Sequence, residues 1–210
     1  MTRIVVADDH PVVRKGLVMI LGTESSFQVV GEARNSGEIW LELEKQPVEI
    51  LLMDITMPGP SGLDLLPDLK KRFPRLHVLI LSQYPESQMA VRAIRAGSAG
   101  YLNKDAAPGE LVTAIKRVCS GKMYVTDSVS ELLAENVRQP GGKLHESLSN
   151  REYRVLCLLV SGKTVTEIGE LLNLSVKTIS TYRSRVLEKL HVQSNAELAR
   201  YAYEHSLAVD

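Results

Sequence analysis

Glu49-Ile50-Leu51-Leu52-Met53-Asp54-Ile55-Thr56-Met57-Pro58 is the stretch that decides how this chain folds. Ile50 to Met53 is a short apolar run, closed by a carboxylate and then by Met57-Pro58-Gly59-Pro60. A run of this length bounded by turn formers reads as a strand buried on both faces. Asp54 then stands at the carboxyl end of that strand, where open parallel sheets keep their ligand sites. The same residues also read as the plain start of a solvated loop, so the other strand ends have to decide.

Working outward, each apolar run is followed by a helical pattern. Arg3-Ile4-Val5-Val6-Ala7 ends in acid at Asp8-Asp9, and Pro11 suits the first turn of a helix carrying Val12, Val13, Leu17, Ile20 and Leu21 to Gly22. Residues 27–31 read as a second strand and 36–45 as a second helix. Beyond Asp54, residues 62–73 present Leu63, Leu65, Leu66 and Leu69, with Pro67 marking a kink or a late start. Residues 77–82 form a fourth strand, 86–96 a helix closed by Gly97, 99–104 a fifth strand and 108–120 a fifth helix. Strict alternation of buried strands and helices implies a parallel sheet with right-handed crossovers and helices on both faces.

The length of 210 residues suits two domains, and the apolar content suffices for a real core. The net charge is zero, so affinity for nucleic acid has to be sought locally rather than in the whole chain. Cys119 and Cys157 lie in apolar helical patterns without disulfide or metal spacing. The N-terminus enters a strand directly, with no signal-peptide pattern, and no apolar run approaches membrane-spanning length. A cytoplasmic location and no membrane contact are the expectation.

Strand one ends in Asp8-Asp9, strand three in Asp54, strand four in Ser82 and strand five in Lys104, all at one sheet edge. Carboxylates gathered there repel one another. A divalent cation cancels the repulsion, and oxygen ligands completed by water suit magnesium. A cation beside Asp54 would draw in a phosphoryl group, with Ser82 and Lys104 as its partners. Asp54 is the natural nucleophile for an acyl phosphate.

Asp8-Asp9, Asp54, Met57-Pro58 with Gly62, Ser82, Tyr101 and Lys104 resemble a two-component receiver domain. The resemblance implies a flavodoxin-like, doubly wound, five-stranded parallel sheet over residues 1–121. It implies Asp54 as phosphoacceptor, Asp9 as a direct magnesium ligand, Asp8 as a ligand through water, and the Thr56 carbonyl as a further ligand. Ser82 and Lys104 would bind the phosphoryl group, and Tyr101 would turn inward as Ser82 is drawn to it. Asp105 stands where many receivers have proline. A phosphohydrolase of the haloacid-dehalogenase type also forms an aspartyl phosphate, but it needs a general-acid Asp two residues on. Thr56 occupies that position, so the intermediate would persist as a signal.

Residues 122–147 read as a linker containing a helix, 126–137, with Val129, Leu132, Leu133 and Val137 on one face; Gln139-Pro140-Gly141-Gly142-Lys143 then forms a flexible hinge. Residues 148–210 are helical. Ser149 and Glu152 form a capping box, 165–172 is a short helix, and Ser175 caps a longer helix over 176–190. On that helix Ile179, Val186 and Leu190 fall together, with Lys177, Ser180, Thr181 and Ser184 opposite and Arg183, Arg185 and Lys189 around them. Such a helix fits a major groove, with the small polar residues toward bases and the cations toward phosphates.

Leu148-Ser149-Asn150-Arg151-Glu152, Thr166-Glu167-Ile168, Lys177-Thr178-Ile179 and Lys189-Leu190-His191-Val192 resemble a LuxR-type helix-turn-helix domain. The resemblance adds Thr178 and Tyr182 to the DNA-binding set, and Gly169 departs from a usual alanine. Receiver plus LuxR domain resembles the NarL/FixJ class of response regulators over the full chain. The implied function is transcription control, with Asp54 phosphorylated by a sensor histidine kinase and with homodimerisation or release of the DNA-binding domain on promoter DNA. The alternative is a regulator that works without phosphorylation and uses the receiver as a docking surface.

Overall fold

The structure is a computed structural model that describes residues 1–57, 61–138, 144–205 and 207, apart from the side chains of 87, 88 and 135–138. It divides into two compact units, Met1–Leu133 and Ala134–Asp210.

In the first unit five strands, β1 (Thr2–Ala7), β2 (Phe27–Ala33), β3 (Ile50–Asp54), β4 (His77–Ser82) and β5 (Gly100–Asn103), form one sheet in the order β2-β1-β3-β4-β5. Every pairing is parallel. Five helices alternate with them: α1 (Pro11–Gly22), α2 (Ser36–Lys45), α3 (Gly62–Arg72), α4 (Glu86–Arg95) and α5 (Pro108–Cys119). Strand residues alternate between faces. Ile4, Val6, Ile50, Leu52, Leu79, Leu81 and Leu102 pack with Leu21 of α1 and with Leu111, Ala114, Ile115 and Val118 of α5. The alternate set, Val5, Leu51, Met53, Val78 and Ile80, is fully buried as well, which is why these strands read as unbroken apolar runs.

Helix ends follow local chemistry. Pro11 supplies the N-terminal turn of α1, and the Asn35 side chain caps α2 by accepting from the Glu38 amide. Pro67 lies inside α3, which already starts at Gly62. A proline in its second turn removes one early N–H bond, and the helix runs through it. A Cβ at Gly62 would stand 3.0 Å from both the Asp54 carbonyl oxygen and Ile55 Cα, so glycine lets the start of α3 lie against the end of β3. β2 runs two residues longer than its sequence pattern indicates, because Val6 and Ala7 extend the ladder to Glu32 and Ala33.

The segment expected as linker begins as part of the first unit. Tyr124 bridges to Gly100 of β5 and donates its hydroxyl to Glu110, while Thr126 and Ser128 both donate to the Glu86 carboxylate. Helix α6 (Asp127–Arg138) follows, with Val129 fully buried. The expected position of Val137 on its inner face and the expected hinge at 139–143 lie outside the described residues, as do residues 58–60 after Met57.

In the second unit a 3-10 turn, Leu144–Ser147, is held where the Tyr201 hydroxyl meets the His145 amide and ring. Helices α7 (Asn150–Val160), α8 (Val165–Leu172), α9 (Val176–Lys189) and α10 (Asn195–Glu204) follow. Tyr153, Val155, Leu156, Ile168, Leu172, Ile179, Val186, Leu190 and Leu198 make the core. The Ser149–Glu152 capping box is present, and a second one joins Thr164 to Glu167. Among the described residues no helix is long and apolar enough to cross a membrane.

Candidate functional site

The strand register gathers the acids. Ala7 pairs with Met53, Asp54 with Leu81, and Ser82 with Asn103, so Asp8, Asp54, Ser82 and Lys104 emerge side by side where the strands end. Asp8 and Asp54 are each 1 % exposed. Lys104 Nζ lies 2.6 Å from Asp8 Oδ2 and 2.8 Å from Asp54 Oδ2, bridging the two carboxylates. Burial works against the charge on Lys104, but the carboxylates of Asp54 and Asp8 outweigh it and hold its pKa above the ordinary lysine value.

Thr56 closes the other side of Asp54. Its amide donates to Asp54 Oδ1 at 2.9 Å and its hydroxyl to Oδ2 at 2.5 Å. Asp8 Oδ1 accepts from the His10 amide at 2.8 Å, and His10 Nδ1 lies 2.9 Å from Asp9 Oδ1. Ligand atoms of Asp8, Asp9, His10 and Asp54 all lie within 4.8 Å of one another. Asp8 Oδ2 is buried against the Lys104 ammonium at 2.6 Å, and Asp9 Oδ1 is buried with the His10 ring 2.9 Å away. Carboxylate oxygens gathered this closely suit a hard cation whose remaining ligands are water, which is magnesium chemistry.

Ser82 is fully buried, and its Oγ accepts from the Tyr84 amide at 3.1 Å. Tyr101 is 1 % exposed and donates its hydroxyl to the Tyr84 carbonyl at 2.6 Å. Burial pushes the Tyr101 hydroxyl well above the ordinary phenol range, with a hydrogen bond to Ser82 opposing it. Tyr101 is thus buried in this structure, with its hydroxyl held at the residue two beyond Ser82.

In the second unit, α8 ends at Asn173, whose left-handed conformation (φ 51°, ψ 44°) turns the chain, and the Ser175 side chain caps α9. Ile179 and Val186 face the core, whereas Lys177, Ser180, Thr181, Ser184 and Arg185 are exposed. Two small helices and this turn present an amphipathic helix with polar and cationic residues outward.

A family model described as the response regulator receiver domain matches residues 4–116, and one described as bacterial regulatory proteins of the luxR family matches residues 146–202. The chain belongs to the response regulators with a LuxR-type DNA-binding domain. It is 34% identical to the response regulator UvrY of Escherichia coli K12 over 99% of this chain and 96% of that one. Identity to the response regulator GacA of Pseudomonas protegens is 35%, over 99% of this chain and 98% of that one. Among solved structures it is similar to RcsB of Salmonella enterica serovar Typhimurium bound to the promoter rprA with a phosphomimetic, at a TM-score of 0.67 and 30% identity, covering 95% of this chain and 97% of that one.

Several of the residues expected at DNA have partners within the regulator itself. Lys189, expected to reach a phosphate, donates to Glu152 Oε2 at 2.7 Å, and Glu152 is 3 % exposed. Arg183 donates to Asn195 Oδ1 at 2.7 Å, linking α9 to the start of α10. The Thr178 amide and hydroxyl both meet the Ser175 cap, and the Thr181 hydroxyl bonds back to the Lys177 carbonyl. Tyr182 is half-buried. Two residues of the receiver pocket escaped the sequence reading: His10, which joins the acid cluster, and Arg14, which lies beneath it. The spacing of Arg14 to Leu17 and Leu21 puts a cation on the buried stripe of α1, and that was a readable signal.

Proposed function

We propose that this response regulator is switched by phosphorylation of Asp54 and acts on promoter DNA, with residues 1–121 accepting phosphate, 148–210 binding DNA and 122–147 joining them. The observation that carries the reading is Lys104 bridging the buried carboxylates of Asp8 and Asp54, with Asp9 in the same cluster. A bound magnesium ion would supply charge neutralisation for the incoming phosphoryl oxygens, held by Asp8, Asp9, Asp54 and the Thr56 carbonyl. An Asp54 carboxylate oxygen attacks phosphorus of a kinase phosphohistidine or a small acyl phosphate. A new P–O bond forms, and the donor's P–N or P–O bond breaks with its electron pair leaving on the donor. Lys104 moves from its two carboxylates to the transferred group, and Ser82 exchanges its bond to the Tyr84 amide for a phosphoryl oxygen. Because Tyr101 holds the Tyr84 carbonyl, this exchange pulls on the start of α4, a two-state element coupled to homodimerisation or to release of the DNA-binding domain. The acid, hydroxyl and lysine are all in place, which disfavours a receiver that serves only for docking.

Incubating the chain and its Asp54→Asn variant with magnesium and acetyl phosphate, then weighing the intact proteins, tests the reading. One phosphoryl group is expected on the wild type and none on the variant; equal uptake by both overturns it.

A further inference from the structure

Arg14 is 9 % exposed, an unusual place for a guanidinium. Burial of a cation is costly unless its donors find acceptors. Arg14 finds them at both ends. Its Nε donates to Glu32 Oε2 on β2 at 2.9 Å, and Nη1 donates to the backbone carbonyl of Asp8 at 2.6 Å. The Asp8 amide in turn donates to the Ala33 carbonyl at 3.0 Å. Asp8 is thus held through its backbone on both sides, while its Oδ2 meets the Lys104 ammonium at 2.6 Å.

We infer that Arg14 is a positioning residue for the magnesium pocket, acting through the Asp8 carbonyl to set the Asp8–Asp9 turn. This rests on the reading of the pocket as a magnesium-dependent phosphoacceptor site. The Asp8 carbonyl and the Asp9 nitrogen and Cα belong to one rigid peptide plane. A donor that anchors the carbonyl oxygen therefore fixes the plane holding the two Cα atoms from which both carboxylates project. Magnesium demands near-ideal octahedral geometry, so slack in that plane lowers affinity. Simple electrostatics has the opposite sign, because a buried cation bonded to the Asp8 backbone repels a second cation nearby. The direction of change on removing Arg14 separates the two roles. Lysine keeps the charge but lacks the fork that spans Glu32 and Asp8.

The test uses the full chain without phosphodonor: calorimetric titration with magnesium, electron paramagnetic resonance with manganese, and melting in EDTA, for wild type, Arg14→Met, Arg14→Lys and Glu32→Gln. Arg14→Met is expected to weaken magnesium binding by roughly 10–100-fold, the range for groups that orient metal ligands. Arg14→Lys is expected to recover only part of it, and Glu32→Gln to cause a smaller loss. An arginine that merely stabilises the fold would lower the melting temperature and leave magnesium affinity unmoved. Unchanged or tighter magnesium binding in the arginine variants overturns the positioning role while the pocket reading stands. Should Arg14→Met not fold, Arg14→Lys and Glu32→Gln decide by the same titration. A wild type that binds neither ion overturns the pocket reading and the inference with it.

Discussion

A Cβ built at Gly169 lands 2.9 Å from the Leu174 carbonyl oxygen, closer than side chains and backbone normally approach. Glycine inside a helix costs up to about 1 kcal/mol relative to alanine, so sequence reasoning counts Gly169 as a weakness of α8. The structure adds the compensating term. The chain folds back across this residue, with the Leu174 amide donating to the Gly169 carbonyl at 2.9 Å. Alanine would gain helix propensity and force the turn before α9 outward. Gly169→Ala is therefore expected to lower the melting temperature of the DNA-binding unit rather than raise it. A thermal melt that rises by several degrees would show that the turn yields at little cost.

At the scale of the element, α9 carries two kinds of cation. Arg185 is exposed, with its charge directed to solvent, whereas Lys189 holds the buried Glu152 of α7. Burial acts to raise the pKa of Glu152, but the hydrogen bond from Lys189 and those within the capping box outweigh it and hold the pKa below the ordinary value. A carboxylate whose folded-state pKa is depressed contributes stability that is fully present above its unfolded value of 4.5 and is lost as pH falls through the lowered one. Lys189→Ala is expected to cost about 1–2 kcal/mol of stability at neutral pH, discounted because the lysine is more than a third exposed. It should also flatten the acid limb of stability against pH below 4.5. Arg185→Ala should leave urea melts unchanged, weaken all DNA alike and reduce the salt slope by about 0.9. Thr181→Ala should instead narrow the gap between selected and random duplexes, because Thr181 is exposed and a threonine methyl suits thymine. If Lys189→Ala behaves as Arg185→Ala does, the internal role given to Lys189 is wrong.

For the whole molecule, the question is whether events at Asp54 reach DNA. The start of the segment after α5 is tied into the first unit through Tyr124, Thr126 and Ser128, so a shift at Glu86 in α4 acts directly on the residues that begin α6. Gel filtration and binding to a duplex that the protein selects from a random pool, before and after acetyl phosphate with magnesium, give the readout. The wild type is expected to elute earlier and bind more tightly after treatment, and Asp54→Asn to do neither. Equal behaviour before and after treatment would favour control without phosphorylation.

The sequence by itself determined the alternation of strands and helices, the edge where Asp8, Asp9, Asp54, Ser82 and Lys104 meet, and the helix-turn-helix. These depend on local signals: buried parallel strands read as apolar runs, caps and glycines mark helix ends, and parallel topology puts every strand terminus of one sense at one edge. The short helix read at 165–172 matches α8, whose Thr164–Glu167 cap was equally legible, and the Ser194–Glu197 cap would have placed the N-terminus of α10. What only the tertiary structure decided is which polar groups find partners. Lys189 and Arg185 look alike along α9, and nothing local says that one of them meets a buried glutamate from a helix 37 residues away in sequence. Arg14 and the Asp8 carbonyl, and Gly169 and the Leu174 carbonyl, are likewise approaches at ångström scale. Periodicity assigns a residue to a face, but the partner it meets there depends on how the elements pack.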